Sequence, residues 1–577
     1  MQQTVAGLRV FNPLYTLSTL LLLAFTCIGA AQAQVVLAPS TPHVGSSNPV
    51  SAEPPVPRPN VKPCTVTLFT NAPFDNFNAT SFNYAPPAAC PGPWAKVILT
   101  ADFTVSAGNQ FDRTGWFYLG DINLFFGTTA EPRSSLSPSW HIERDVTDLT
   151  SVLKTAQPGS ATIGNIVNST DTSTIFANAA LEFFPASQLA LAPVTPDIVV
   201  GLSSGSNPDA LNTTADQVSQ TVNLPRNVEK VYLDVFAQSQ IDDEFWYLCV
   251  PNDETGPLES CGNTAFRETE ITIDGKPAGV APVFPFIFTG GIDPFLWEPL
   301  PGVQTLDFKP YRVDLTPFAG VLGDGSQHTV AVSVFNANDF FNATANLLVF
   351  TDHGSQQVSG GLISNTLSAA PTPQVNENLT TSSSGAVTGT VSVSSNRTFS
   401  VSGFVNTSHG RVETTVEQKV DFLSTQTFNV NATTGADVQN AVQTSTVDSQ
   451  TTTLQGILRE TVSRHVSYPL TVDFSFTPNT DGTFTQVTTV NQQNQQTDTK
   501  ALNGFPQFES STREQVLSKD TLSISAADQV TAAAGNSSAS FQSNDSLGNC
   551  FSRSLTAEDQ VLTSVGDGKN CQQQKRF

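Results

Sequence analysis

The sequence predicts an all-β protein, with sandwich or jelly-roll architecture in its middle and a separate antiparallel β-rich domain behind it. Three observations carry this expectation. From residue 64 to about 356, short β-type runs are punctuated by Gly, Pro, Asn and Asp. Helical periodicity is scarce throughout. From about residue 370, Thr, Ser, Gln and Asn dominate and apolar residues alternate cleanly with polar ones. Frequent strands with turn signals and no intervening helices favour stacked or closed sheets over an α/β layout.

In chain order, a single Arg9 precedes an apolar run, Leu14 to Ala31, that ends in Ala31-Gln32-Ala33. A positive start, an apolar centre and a small-x-small end make residues 1–33 a secretory signal peptide. Residues 34–63 are Pro- and Ser-rich without apolar periodicity, and read as an extended linker. Val97 to Val105, Trp116 to Phe126, Val228 to Ala237 and Val330 to Phe335 have period-2 or continuous apolar character. Ile271-Thr272-Ile273 followed by Asp274-Gly275 reads as a strand entering a tight hairpin. Val146 to Leu153 has room for one or two helical turns. In the last third, Val387 to Val393, Phe399 to Phe404, Val412 to Phe422 and Leu470 to Phe476 are half-buried antiparallel strands, and Asn479 to Gly482 is a turn. Ala432 to Gln450 and Asn491 to Lys500 lack apolar alternation and read as loops or exposed edges.

Cysteine usage fits an oxidising compartment. Beyond the leader stand Cys64, Cys90, Cys249, Cys261, Cys550 and Cys571, in three close pairs that make nearest-neighbour bridges the simplest expectation. Asn78, Asn168, Asn212, Asn342, Asn378, Asn396, Asn406, Asn431, Asn536 and Asn544 each open an N-x-S/T sequon, expected on exposed backbone of a secreted glycoprotein. Charged residues make up 13% of the chain, about half the usual share. With 50 acidic against 26 basic residues, nucleic acid and anionic membrane surfaces are poor partners. No later stretch is long and apolar enough for a membrane helix.

Several chemistries are disfavoured. Gly201-Leu202-Ser203-Ser204-Gly205 matches the G-x-S-x-G elbow, but Ser206-Asn207-Pro208 follows where that motif needs a helix. A cysteine nucleophile needs a free thiolate, and every cysteine after the leader has a disulfide candidate. With no C-x-x-C and six scattered histidines, neither a metal nor another cofactor is expected. What remains is carboxylates set among aromatics: FDRTGW (111–116), TTAEP (128–132), WHIERDVT (140–147), DDEFWY (242–247), FRE (266–268) and GGIDPFLWEP (290–299). In a chain so poor in charge, acids beside Trp and Phe suit sugar recognition and raised carboxyl pKa values. Turn and cap chemistry is the alternative reading of the same segments.

The order of these motifs, continued by FRETEITIDGKPAG (266–279), FPFIFTGGIDPFLWEPLPG (284–302), YRVDLTPFAGVLGDGSQH (311–328) and VSVFNA (332–337), resembles the plant and fungal peptide-N4-(N-acetyl-β-glucosaminyl)asparagine amidase A family over most of residues 64–356. The resemblance implies a secreted amidase that hydrolyses the amide joining an asparagine to its first N-acetylglucosamine. N-glycopeptides or denatured glycoproteins are the implied substrates. The aromatic-Asp-Arg at 111–113 is also similar to the catalytic aspartate region of the bacterial PNGase F type, which implies two jelly rolls, placed here at 64–225 and 226–357 with the β-rich domain at 370–577. On that likeness Asp112 is the expected water-activating carboxylate and Glu244 the second acid, with Glu131 and Glu268 as alternates. Arg113, Trp116, Arg267, Trp246 and Trp297 are the expected contacts to the glycan core. The insertion bounded by Cys249 and Cys261 departs from the family pattern. The competing reading is a non-catalytic glycan-binding or wall-associated β-sandwich glycoprotein.

Overall fold

The computed structural model describes residues 41–203, 205–568 and Cys571. The leader and the start of the linker therefore lie outside the described residues. The protein is all-β, as its patterning predicts, and its strands pair antiparallel. A first sandwich joins a sheet ordered Cys64–Phe74, Ile175–Pro185, Trp94–Val105, Ser139–Asp145 to one ordered Thr80–Tyr84, Gln157–Ile163, Thr114–Leu119, Ile122–Thr128. Its core is strongly aromatic, with Phe103 stacked on Trp140 and Phe69, Phe117 and Phe125 between the layers.

The second sandwich has Asp209–Thr213, Asn338–Thr351, Val228–Ser239 and Tyr311–Asp314 in one sheet, where Ile198–Gly201 also pairs with Asn338–Thr351. The other sheet is Val218–Val222, His328–Phe335, Glu268–Ile273 and Lys276–Pro282. Asp274 and Gly275 take φ of 52° and 70° in the expected two-residue hairpin, the left-handed pair that a type I′ turn requires. The expected run Trp116 to Phe126 folds back on itself instead: Gly120, at φ 56°, turns it into two paired strands. Val146 to Leu153 forms two single 3-10 turns, Thr147–Leu149 and Val152–Lys154.

The last third is an eleven-stranded sheet in which most strands pair with the next in sequence, several of them about twenty residues long. Two expectations fail here. Ala436–Gln455 and Phe484–Leu502 are full strands, although Ala432 to Gln450 and Asn491 to Lys500 read as loops or edges. Their inward positions hold Gln439, Gln443 and Gln492, all buried, so the alternation is present but written in amides rather than hydrocarbons. The apolar residues of this sheet form one continuous core with the second sandwich.

Residues 41–63 run extended without being a free spacer. Val50 N–H donates to the Pro299 carbonyl (2.9 Å), and Gly45 and Leu562 are joined through backbone hydrogen bonds (2.8 Å and, via Ser46, 2.9 Å). Arg58 forks onto Glu143 with two contacts of 2.8 Å. The bridges are Cys64–Cys90, Cys249–Cys261 and Cys550–Cys571, the nearest-neighbour pairing expected. Asn78, Asn168, Asn212, Asn378, Asn396, Asn406 and Asn536 are exposed, while Asn342, Asn431 and Asn544 are half-buried. Among the described residues no helix is long and apolar enough to cross a membrane.

Candidate active site

The site grows from one hairpin. Thr114 pairs with Thr128 at its open end, so the residues just before and just after the two strands are brought together. The ladder continues irregularly. Thr129 N–H donates to the Arg113 carbonyl (2.9 Å), and Arg113 N–H donates to Thr129 Oγ1 (2.9 Å). Asp112 N–H donates to Glu131 Oε2 (3.1 Å). Two acids nineteen positions apart in sequence thus share one end of a hairpin.

The long connection 283–310 of the second sandwich closes over that end. It lies along Ile122–Thr128, with Phe308 N–H on the Phe126 carbonyl (2.9 Å) and Thr128 N–H on the Thr305 carbonyl (3.1 Å). Thr289 Oγ1 then donates to the Thr129 carbonyl (2.8 Å), and Gly290 N–H donates to Asp112 Oδ2 (2.7 Å). A side chain at 290 has no room: its Cβ would stand 2.1 Å from Glu131 Oε2 and 3.2 Å from Asp112 Oδ2. Glycine is what lets this backbone approach both carboxyls. Glu244 enters from a third segment, the long loop 240–267 after Val228–Ser239.

Asp112, Glu131 and Glu244 are each half-buried, so they keep an edge toward solvent. They share one electrostatic field. Burial, then the charge of Asp112, pushes Glu131 up to about 8, with Glu244 adding to the effect. Burial and Asp112 push Glu244 up to about 8. Burial also raises Asp112, opposed by the Gly290 N–H and by Arg113. Like charges this close cannot all ionise together. Asp112 accepts the Gly290 N–H and feels Arg113, while Glu131 and Glu244 each feel the charge of Asp112.

Around this cluster, Arg113 lies 3.4 Å from Asp171 and over the Phe111 ring, and its buried Nε–H has no hydrogen-bond partner among the described residues. Trp116 is half-exposed on the strand that Asp112 precedes, edge-on to Phe126, with Nε1–H on Asn207 Oδ1 (3.0 Å). Four other expected residues are placed elsewhere. Arg267 is fully buried, with Nε and Nη2 on Asp243 Oδ1 (2.9 and 2.7 Å) and Nη1 on the carbonyls of Asn263, Thr264 and Phe266. Glu268 is held by Arg397 of the C-terminal sheet. Trp246 is fully enclosed beside Tyr247. Trp297 is buried with Nε1–H on the Gly291 carbonyl (2.8 Å), so it props the Gly290 loop.

Sequence reasoning missed the Gly290 amide, because a backbone donor has no residue signature; the Gly290-Gly291 pair was its only trace. It also missed Tyr247, a buried phenol that feels Glu244 and whose hydroxyl is unpartnered among the described residues. The serine of the G-x-S-x-G match, Ser203, is buried with its Oγ on Thr344, and no helix follows it.

Residues 54–367 match the family model described as peptide N-acetyl-beta-D-glucosaminyl asparaginase amidase A. The peptide-N4-(N-acetyl-beta-glucosaminyl)asparagine amidase A of Prunus dulcis is 27% identical over 461 residues, which is 76% of this chain and 78% of that one. Among solved structures, PNGF-II is 14% identical with a TM-score of 0.37, covering 51% of this chain and 66% of that one. PNGase F, described as a glycosylasparaginase from Flavobacterium meningosepticum, is 11% identical with a TM-score of 0.34, covering 50% and 96%. The family match spans more than half of the sequence and takes in Asp112, Glu131, Glu244 and Gly290, and the chain belongs to the peptide N-acetyl-β-D-glucosaminyl asparaginase amidase A family.

Proposed function

We propose that this member of the amidase A family hydrolyses the β-aspartylglucosaminyl amide of N-glycopeptides, leaving aspartate and releasing the glycan as a glycosylamine. The observation that carries the reading is a carboxylate, Asp112, fixed by a backbone N–H beside two acids whose pKa values are pushed up to about 8.

Asp112 accepts a proton from water as the water oxygen bonds to the amide carbonyl carbon. The tetrahedral intermediate then loses its C–N bond, and Glu244 gives its proton to the leaving nitrogen. One water is consumed, and a carboxyl group and a 1-amino sugar are formed. Splitting base and acid between groups of different pKa is how carboxyl pairs run both steps near neutrality. Glu244 suits the acid role because Glu131 is already tied to the Asp112 N–H, where it serves as the neutral neighbour. Arg113 and Trp116 are the proposed contacts to the sugar, through hydrogen bonds and a ring face; the half-exposure of Trp116 supports this. The leader and the three disulfides support secretion into an oxidising, extracellular space.

Incubating the purified protein with an N-glycopeptide at mildly acidic pH should convert the glycosylated Asn to Asp, read by mass spectrometry. Asp112→Asn should lower the rate by roughly a thousandfold or more, the upper part of the range for a positioned base. Release that leaves an Asn carrying one sugar would identify a glycosidase instead. An Asp112→Asn enzyme as active as wild type would remove Asp112 from the mechanism.

A further inference from the structure

The two loops that bring Glu244 and Gly290 to the site contain almost no regular structure. Residues 240–267 hold two 3-10 turns and residues 283–310 hold one. Each also has an isoleucine in the left-handed region, Ile241 at φ 51° and Ile292 at φ 68°. A β-branched residue is strained there, so the conformation must be imposed by its surroundings.

Around Ile241 the backbone of Gln240 is paired with Phe340 of the second sandwich; further along both loops the restraining side chains belong to the C-terminal sheet. Gln426 Nε2 donates to the Cys249 carbonyl (2.9 Å) and to its neighbour Gln439 offers Oε1, while Gln439 Nε2 reaches the Leu248 carbonyl (3.3 Å). On the other loop, Gln486 Nε2 donates to Asp293 Oδ2 (2.7 Å), three residues beyond Gly290. Gln492 works in both directions, donating to the Pro285 carbonyl (2.7 Å) and accepting from Val303 N–H (2.7 Å). Ser518 Oγ donates to the Leu296 carbonyl (2.6 Å). All five side chains are buried on the sheet's inward face. Buried amides that each meet loop backbone or a loop carboxylate impose a geometry, which a hydrocarbon face of equal size would not.

We propose that the inward face of the C-terminal sheet is a template for the site, with Gln426, Gln439, Gln486, Gln492 and Ser518 as positioning residues that hold the Glu244 and Gly290 loops in register with Asp112. This rests on the amidase reading, and gives the last third of the chain a part in that reaction.

The test uses the full-length chain with Gln486→Met, Gln492→Met and Gln426→Met, which keep volume and remove the amide. Gln443→Met is the control: Gln443 is equally buried on the same sheet, but its amide has no hydrogen-bond partner among the described residues. The first three should lower kcat at least tenfold with KM within twofold, because the substrate-facing groups stay while their alignment is lost. Amide hydrogen exchange should quicken in 285–303 for Gln486→Met and Gln492→Met, and in 244–251 for Gln426→Met. Gln443→Met should change neither. Unchanged kcat, or a kcat loss without quickened exchange in the matching loop, would overturn the template. Exchange needs no turnover, so a wild-type chain that releases no glycan would sink the amidase reading while the template is still judged on the loops.

Discussion

Asp243 and Glu244 are neighbours in sequence and opposites in circumstance. Asp243 is sealed: Arg267 grips it through two nitrogens and Asn338 N–H closes its other oxygen at 2.5 Å. Glu244 feels the charge of Asp112 instead, and its pKa climbs to about 8. An acid whose charge is matched inside the protein becomes scaffold. An acid left unmatched beside another becomes a proton reservoir. Glu268 is intermediate: Arg397 of the C-terminal sheet holds it, yet burial still pushes it up to about 7, and Glu131 beside Asp112 repeats the second pattern.

The contrast is open to attack at several points. Glu244→Gln should have the largest effect, a loss of roughly a hundredfold or more in kcat, with the alkaline limb of the pH–rate profile altered because the donor no longer titrates. Stability in urea at about pH 4.5, where Glu244 is protonated in both states, should hardly change. Arg267→Met should do the reverse: about 3–5 kcal/mol lost in urea unfolding, since a buried Asp243 is left unpaired, with kcat per folded molecule kept within a few-fold. If Arg267→Met abolished turnover in folded protein, Arg267 would have to be returned to the site. Gly290→Ala should cost about 1–3 kcal/mol in stability, through a forced overlap with Glu131, and should also depress kcat. The gentlest test is pH. Glu131 and Glu244 have folded pKa values near 8 against ordinary values near 4.5, so the folded state holds more protons between those limits. Stability from these groups is therefore full below about pH 4.5 and falls as pH rises through 8, by at most about 1.4 kcal/mol per pH unit for each proton. Glu131→Gln should flatten that slope in thermal scans taken from pH 5 to 8.

Much of the architecture was legible because half-buried strands must alternate, and Leu470 to Phe476 or Val228 to Ala237 have few other ways to fold. The failures share one cause. In Ala436–Gln455 and Phe484–Leu502 glutamines share the inward face with a few apolar residues such as Ala441, Val447 and Val490, and some of those amides are satisfied only far along the chain, as Gln492 is by Pro285. At the candidate site, Asp112 and Glu131 are singled out by the motifs that hold them, and the hairpin brings them together. Arg267 and Glu268 were misplaced because residue type says nothing about whether a charge already has its counterion. Gly290 was quoted within a motif, yet its donor is backbone, and only tertiary structure aims it at Asp112.

The C-terminal sheet pairs most strands with the next in sequence, so its ladders close short loops, which cost little entropy and form early. Its hydrogen bonds to the site loops are of another kind, spanning 177 to 222 residues between Gln426 and Cys249 and between Ser518 and Leu296. Contacts of that separation come late in folding. During synthesis the motifs around Asp112 emerge long before the strands that carry Gln486 and Ser518, so a growing or truncated chain has its acids without their alignment. On the template proposal, alignment of the site arrives with the strands that carry Gln486 and Ser518.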